Sequence, residues 1–429
     1  MSCNAGVCTA TAQKAVLNAG DLQAMLASGD VAVKTGSVAK DIEIDQPLTW
    51  ASTSRLTLDA QRSITIRKPV TVNGQGAITL AFNQGESAGD LYFFDKGDVT
   101  FFDLASTLVI NGTGYVLVGN LTTLGSDVAK NPAGSYALAA SYDAKGEVFH
   151  KAPVATTFSG NFEGLGHTIL HVKVKHGVQG CAGTFARTEA ALIRDITLKK
   201  VSVFSKAASA VGGLVGCNAG DVVNVGVEGT VKADSEFVDV GGLAGDHAGL
   251  IERSRSSVSL SSMGKQTGGL VGVNSGIIDK SFVTGPVAGN IGNVGGLAAL
   301  NEGYISNSYA SAAVTANNAH IGGLLGTTGV LSVDQVYSTG QVETEGNLAG
   351  GLVGVDDGST FKNSYWDLDT TGITDPSQGA GQPPNDPGIT GLTDAQLKAG
   401  LPAGFDPKIW GSSARVNDGY PYLLANPPT

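Results

Sequence analysis

The sequence predicts an all-β chain wound into a parallel β-helix, a β-solenoid closed by a C-terminal cap. Three observations carry that expectation. A short phrase recurs six times: Gly212-Gly213-Leu214-Val215-Gly216, Gly241-Gly242-Leu243-Ala244-Gly245, Gly268-Gly269-Leu270-Val271-Gly272, Gly295-Gly296-Leu297-Ala298-Ala299, Gly322-Gly323-Leu324-Leu325-Gly326 and Gly350-Gly351-Leu352-Val353-Gly354. Its first glycines lie 29, 27, 27, 27 and 28 residues apart, and a near-constant period of this length marks stacked repeats. Between the copies, segments such as Val283-Thr284-Gly285-Pro286-Val287 alternate apolar and small polar residues, as a strand with one buried face does. The composition agrees: 61 glycines, 15% charged and 42% hydrophobic residues suit short strands and tight turns and give ample apolar surface to bury.

Each repeat extends beyond its phrase. Six residues after the first glycine stand Asn218, His247, Asn274, Asn301, Thr328 and Asp356, read as a turn column whose side chains bond along the stack. Two residues later come Gly220, Gly249, Gly276, Gly303 and Gly358. A rung of this length cannot bury its own apolar face. Stacking converts Leu214, Leu243, Leu270, Leu297, Leu324 and Leu352 into one internal ladder, and the phrases are expected to form one strand column. An imperfect copy, Ala182-Gly183-Thr184-Phe185, precedes Gly212 by 30 residues when Ala182 is aligned with the first glycine.

The chain divides into four parts: an N-terminal segment with a short helix (1–39), irregular rungs (40–150), the glycine-phrase β-helix (151–366), and a loop with a C-terminal cap (367–429). In the first, Asp21 is expected to cap a helix over Leu22 to Ala27. In the second, Leu56-Thr57-Leu58, Ile64-Thr65-Ile66, Val70-Thr71-Val72 and Ile78-Thr79-Leu80 alternate cleanly but without the longer period. In the last, Thr393-Asp394-Ala395-Gln396 forms a capping box and Gly400 stops the helix. Phe405, Trp410, Tyr420 and Tyr422 follow, an aromatic group expected to plug the open end of the solenoid.

Charge narrows the partners. A formal net charge of −11 disfavours nucleic acid, whose binders need a cationic footprint, and an anionic membrane surface. No run of about 18 apolar residues exists to span a bilayer, and Met1-Ser2-Cys3-Asn4 does not begin a signal peptide. Cys3 and Cys8 close a small ring expected to be a disulfide, with no His beside it to favour zinc. Cys181 and Cys217 occupy different repeat columns and are expected to lie beyond disulfide reach.

Chemistry is sparse. His167 and His171 have the spacing of a helical ligand pair but stand in a strand pattern without a third ligand. Asp367-Leu368-Asp369-Thr370-Thr371-Gly372 has the start of a calcium loop, yet Gln378 stands at the twelfth position, so a turn is favoured. Asp234, Glu236 and Asp239 cluster in a stretch read as a solvated loop, and Asp356 and Asp357 form a second acidic pair. Gly264-Lys265-Gln266-Thr267 lacks the upstream glycine of a phosphate loop. No catalytic residue, cofactor site or metal site is assigned.

The phrase Gly268 to Asn274 resembles the GLUG motif of bacterial surface and secreted proteins. Residues 41–80, with Pro47-Leu48-Thr49-Trp50, are similar to rungs of filamentous-haemagglutinin-type exoproteins. Tyr136-Ala137-Leu138-Ala139 with Phe158 to Ile169 is similar to the lead-in to such repeats, and Ser364-Tyr365-Trp366 through Asn417-Asp418-Gly419-Tyr420-Pro421-Tyr422 resembles their closing segment. The order of these segments, over roughly 40–429, carries the likeness. It implies a right-handed parallel β-helix, a piece of a longer two-partner-secretion adhesin exported through an outer-membrane partner pore and displayed outside the cell or on the bacterial surface. The implied activity is adhesion, or service as an adhesin stalk, without catalysis. The partner would be a ligand on a host or neighbouring cell, glycans included. The alternative is a carbohydrate-active β-helix enzyme, a polysaccharide lyase or hydrolase, which needs carboxylates converging on one face.

Overall fold

The computed structural model describes residues 1–85, 88–94, 96–346 and 348–428, the side chains of Asn318 and Ala319 excepted. The chain is 6% helix and 49% strand and winds into a parallel β-solenoid of about 14 turns. It does so as two stacks joined end to end.

The first stack has three faces. Val31–Lys34, Arg55–Asp59, Ala77–Ala81 and Thr107–Ile110 pair in parallel on one. Ile42–Ile44, Ile64–Ile66 and Leu91–Phe93 form the second, and Leu48–Trp50, Val70–Val72 and Val99–Phe101 the third. Alternate residues such as Leu56, Ile64, Ile66 and Val72 point inward and are fully buried, as the period-two pattern requires. The solenoid therefore begins at Val31, inside the segment expected to precede it. The preceding helix is Ala19–Leu26, capped by Asn18, whose Oδ1 accepts from the N–H groups of Gly20 and Asp21. Asp21 stands inside its first turn, where its charge suits the helix dipole.

At Asn111-Gly112 the chain reverses in an antiparallel hairpin. The second stack starts there, well before residue 150, because its first coils (Ser135–Leu138, Asn161–Glu163) lack the glycine phrase. A helix that the sequence reading did not anticipate, Leu121–Lys130, is capped by Asn120 and buries Leu121, Leu124 and Val128. The stacks share a seam: Phe101 N–H donates to Ala139 O (2.8 Å) and Val99 N–H to Leu165 O (3.1 Å).

In the repeated part every rung has the same course. Asp239–Gly241, Ala244–His247, Leu250–Glu252 and Arg255–Ser262 represent it, each paired with its counterparts above and below. The six leucines are inside, 0–1% exposed. The phrase itself, however, is a corner between two strands and not a strand column. Its first glycine ends one strand, and its third following residue begins the next. The corner still stacks, since each leucine N–H donates to the next leucine C=O at 2.7–3.1 Å. Glycine is required there by close approach: a Cβ on Gly241 would overlap the carbonyls of Ala244 and Leu270, while its φ is ordinary.

The imperfect copy aligns one residue later than the sequence suggested. Ala182 pairs with Val211, so Gly183 is the counterpart of Gly212, and Phe185 pairs with Val215. Its corner is one residue shorter, and a one-residue slip exchanges the two faces of a strand.

The C-terminal aromatic residues do not plug the end. Residues 367–392 complete a last partial coil, with Ala380–Gln382 and Ile389–Leu392 paired onto it. The remainder runs back along the flank as a strap. Phe405 and Trp410 cover an outward ladder of Phe282, Tyr309, Tyr337 and Tyr365, whose first three rings stack with centroids 4.9 and 4.8 Å apart. Tyr337 donates to Pro421 O (2.6 Å), Tyr365 to Ala403 O (2.8 Å), and Asn426 reaches Ser254 O (3.2 Å). The capping box of Thr393 and Gln396 is present.

Candidate functional site

Four lines of side chains run along the second stack. The first is the turn column, which proves to be buried. Asn218 accepts from the Thr188 hydroxyl and donates to His247 Nδ1 (2.9 Å), so His247 carries its proton on Nε2 and donates to Ile277 O (3.2 Å). Burial holds the imidazole down at about 4. Asn274 donates to Asn301 Oδ1 (2.7 Å) and Asn301 to Thr328 Oγ1 (3.0 Å). This column is an internal polar spine, with every link unavailable to a ligand.

The second line is a left-handed corner that the sequence reading missed. Leu165, Asp195, Asn224, Arg253, Lys280, Asn307, Gln335 and Asn363 all have φ between 46° and 55°. Asn and Asp tolerate this region, but Arg253, Lys280 and Gln335 hide the periodicity. Here lies an ion cluster. Arg194 meets Asp90 (2.9 Å), Asp195 (2.6 Å) and Glu163 (3.5 Å), and Arg253 meets Asp90 from two rungs on. Burial and the Asp195 charge push the Glu163 carboxyl well up; burial, then Glu163, push Tyr115 up to about 12. The cluster fastens residues of the first stack to the second. It is closed to solvent at Glu163, 2% exposed, and reads as a staple.

The third line is a seam where two strands of each rung lie back to back. One strand contributes Cys181, Ala210, Asp239, Gln266, Asn293 and His320 in register. The other contributes Arg187, Cys217, Asp246, Val273, Leu300 and Thr327. The columns interdigitate: Thr327 donates to Asn293 of the preceding rung (2.8 Å) and contacts His320 Nδ1 of its own (3.2 Å). This stagger brings Cys181 and Cys217, in their separate columns, together as a disulfide, Cα atoms 5.6 Å apart, against the expectation that they lie beyond disulfide reach. Cys3 and Cys8 are bridged as expected.

Beside the disulfide, Asp246 stands near enough to Asp239 to act on its carboxyl. Asp239 thus leaves Asp234 and Glu236 in the loop, where Asp234 pairs with Lys232 (3.3 Å), and joins a carboxyl pair. Burial, then the Asp246 charge, push Asp239 up to about 7. Burial also raises Asp246, opposed by Asp239 and the Arg187 charge. Two neighbouring carboxyls resist ionising together.

The fourth line is solvent-facing. On one outward face of successive rungs, Thr230, Ser257, Ser259, Ser261, Thr284 and Thr315 are exposed between buried Val231, Val258, Leu260, Val283, Val287 and Val314. Ser257 pairs beneath the register of Thr284, and Thr230 pairs with Ser259. The result is a face of short hydroxyl side chains interspersed along the stack with Glu228, Lys232 and Glu343.

The other candidates fall apart. His167 Nε2 contacts Val99 O (2.9 Å), whereas His171 meets Asp143 (2.7 Å). Asp367 Oδ1 accepts from Asp369 and Thr370 N–H groups (2.9 and 3.1 Å), and Asp356 Oδ1 from Gly358 and Ser359 (3.1 and 2.7 Å). Both are turns. Gln266 and Thr267 belong to a strand. Among the described residues no group of three His, Cys, Asp or Glu side chains is placed to hold a metal ion, and no helix is long and apolar enough to cross a membrane.

No family model and no curated protein matches the chain. One crystal structure, from Bacteroides ovatus and provisionally described as an immunoglobulin A1 protease, has a TM-score of 0.48 and 15% identity, over 73% of this chain and 93% of that one. A likeness of this extent says nothing about chemistry.

Proposed function

We propose that the chain is a non-enzymatic adhesive β-solenoid, or the stalk of one, of the filamentous-haemagglutinin type, displayed outside a bacterial cell. The hydroxyl field on this outward face carries this reading. It carries short hydroxyl side chains on several successive rungs, with Glu228, Lys232 and Glu343 beside them, so it offers several weak hydrogen bonds that sum along the stack. A glycan surface, itself a repeat of hydroxyls, is the ligand class it suits. The GLUG-like phrase builds the corners of this scaffold and is buried, so its role is architectural. The reading is tested by a glycan array paired with a reducing-end release assay on the hits: binding without release is expected, and release of new ends overturns it.

A second reading rests on one observation, the Asp239–Asp246 pair. Two neighbouring carboxyls that resist ionising together can act as general acid and general base. Asp239→Asn separates the readings, because it abolishes hydrolysis by the pair and leaves binding on the hydroxyl face unchanged.

A further inference from the structure

The outward face that carries the hydroxyls changes character on the rungs that precede Thr230. Segment 170–206 holds seven Lys and Arg against two Asp and Glu, in a chain whose formal net charge is −11. Arg194 is engaged in the ion cluster, and Arg187 lies in the seam against Cys181. The five lysines are exposed. Lys173 and Lys175 alternate with buried Val174 and His176 and so point outward. On the next rung Lys199 and Lys200 occupy a register shift within the strand, and Lys206 follows its last residue, Ser205. Lys232 joins them from a third rung. Two columns run through the group in register: Lys173, Ser202, Thr230 and Ser259, and beside it Lys175, Phe204, Lys232 and Ser261. Lys175 and Lys232 thus stand two rungs, about 9.6 Å, apart, with the half-buried Phe204 between them and Lys232 Nζ 5.8 Å from its ring centre.

Carboxylates are few on these rungs. Lys232 is the only one of the six lysines in an ion pair among the described residues, with Asp234 at 3.3 Å. Both side chains of that pair are open to solvent, where such a contact is worth little. Glu228 faces the register shift at Lys199 and Lys200, one carboxylate against two ammonium groups. Glu236 is exposed on the loop beyond Asp234, and Glu147 accepts from Tyr142. Five cations gathered on one face repel one another, and a bound anion relieves that repulsion.

We propose that these rungs form a cationic subsite for a linear glycan in which acidic sugars alternate with neutral ones. The inference rests on the glycan reading above and names the glycan's charge. The acidic requirement follows from the unpaired lysines. The glycan requirement follows from continuity: each lysine column passes into serine or threonine, so a polymer lying along the stack meets cations and then hydroxyls, weak contacts that sum. The alternation follows from the spacing of Lys175 and Lys232, since acidic sugars at the two lysines leave a neutral one against Phe204 and Ser202. Duplex nucleic acid is a poor occupant. It carries one charge per about 1.7 Å, whereas this column offers one cation per about 9.6 Å, and the acidic remainder of the chain repels a densely charged polymer.

The test uses the full chain and a fluorescent hyaluronan decasaccharide, in which glucuronate alternates with N-acetylglucosamine, beside the same oligosaccharide with its carboxyls reduced to alcohols. Anisotropy titrations are run at about 50 and about 500 mM salt. The expected result is saturable binding of the acidic form, at least tenfold tighter than the reduced form at low salt, with that advantage lost at high salt. Lys173→Gln with Lys175→Gln should weaken the acidic form at least tenfold and change the reduced form less than twofold. Lys362→Gln with Lys408→Gln removes the same charge from exposed positions elsewhere and should change neither. Lys173→Arg with Lys175→Arg should keep binding, which separates loss of charge from loss of fold. Equal affinity for the two forms, or equal weakening by the distant pair, overturns the proposal and leaves the glycan reading standing. Tighter binding of a DNA duplex than of the acidic glycan overturns it in favour of nucleic acid. Binding of neither form also overturns it, and the glycan array then decides the broader reading by itself.

Discussion

Asp239 and His247 sit in the same rung and titrate against each other. Burial keeps His247 neutral down to about 4, while its unfolded counterpart takes a proton near 6.5. Its contribution is therefore full above about 6.5 and is lost as pH falls toward 4. Asp239 has the opposite sign. Raised to about 7 beside Asp246, it keeps its proton in the folded chain where the unfolded carboxyl, near 3.9, has released it. Stability from the carboxyl pair therefore grows as pH falls from about 7 to 4. Asp239→Asn should remove that gain and leave the histidine loss unopposed. The variant is expected to be more stable than wild type at pH 8, by on the order of 2 kcal/mol, and to lose this advantage by pH 5. Thermal melts of both proteins across pH 4–8 check it; a constant difference would show that the two carboxyls ionise independently. The residue identities of this pair were visible in the sequence, but Asp239 read as loop because nothing in a linear spacing reveals the stagger of two back-to-back columns.

At the scale of elements, the leucine corner and the strap give separate expectations. Leu297 is fully buried between Leu270 and Leu324, so Leu297→Ala should cost about 2–5 kcal/mol, measured by chemical denaturation. A cost below about 1 kcal/mol would mean that the ladder is not packed. The strap holds the flank through Trp410, 1% exposed, and has no β-ladder to the solenoid, since Trp410–Gly411 pairs only with Tyr422–Leu423. Deleting residues 393–429 should leave the last coil paired and expose the stacked rings of Phe282, Tyr309 and Tyr337. Binding of a hydrophobic dye and self-association should rise while the strand signal persists; collapse of the strand signal would return the segment to the role of an end plug. The leucines, the asparagine column and the Thr393 capping box were legible because each is a local or strictly periodic signal. The strap's course was not, because aromatic density marks a buried contact without saying which surface buries it. The Cys181–Cys217 bridge was hidden by the shorter corner of the first copy, which moved Cys181 from the inner face to the seam.

Across the whole molecule, about 14 turns present a lateral surface, of which the exposed hydroxyls from Thr230 to Thr315 form one field. The period told the architecture directly, since a rung of fixed length has little choice but to stack. The ligand is not written in that period, because the outward hydroxyls are fixed by solubility and strand packing as much as by recognition. The account turns on whether function is distributed along that field. The most direct measurement is the affinity for an array-identified glycan in a graded series, with Ser257, Ser259 and Ser261 replaced by glutamate on one rung, then Thr284 on the next, then Thr230 as well, beside Asp239→Asn. The account predicts stepwise weakening of several-fold per added rung, no effect of Asp239→Asn, and no product released. Affinity indifferent to the series, or turnover that Asp239→Asn abolishes, would contradict it.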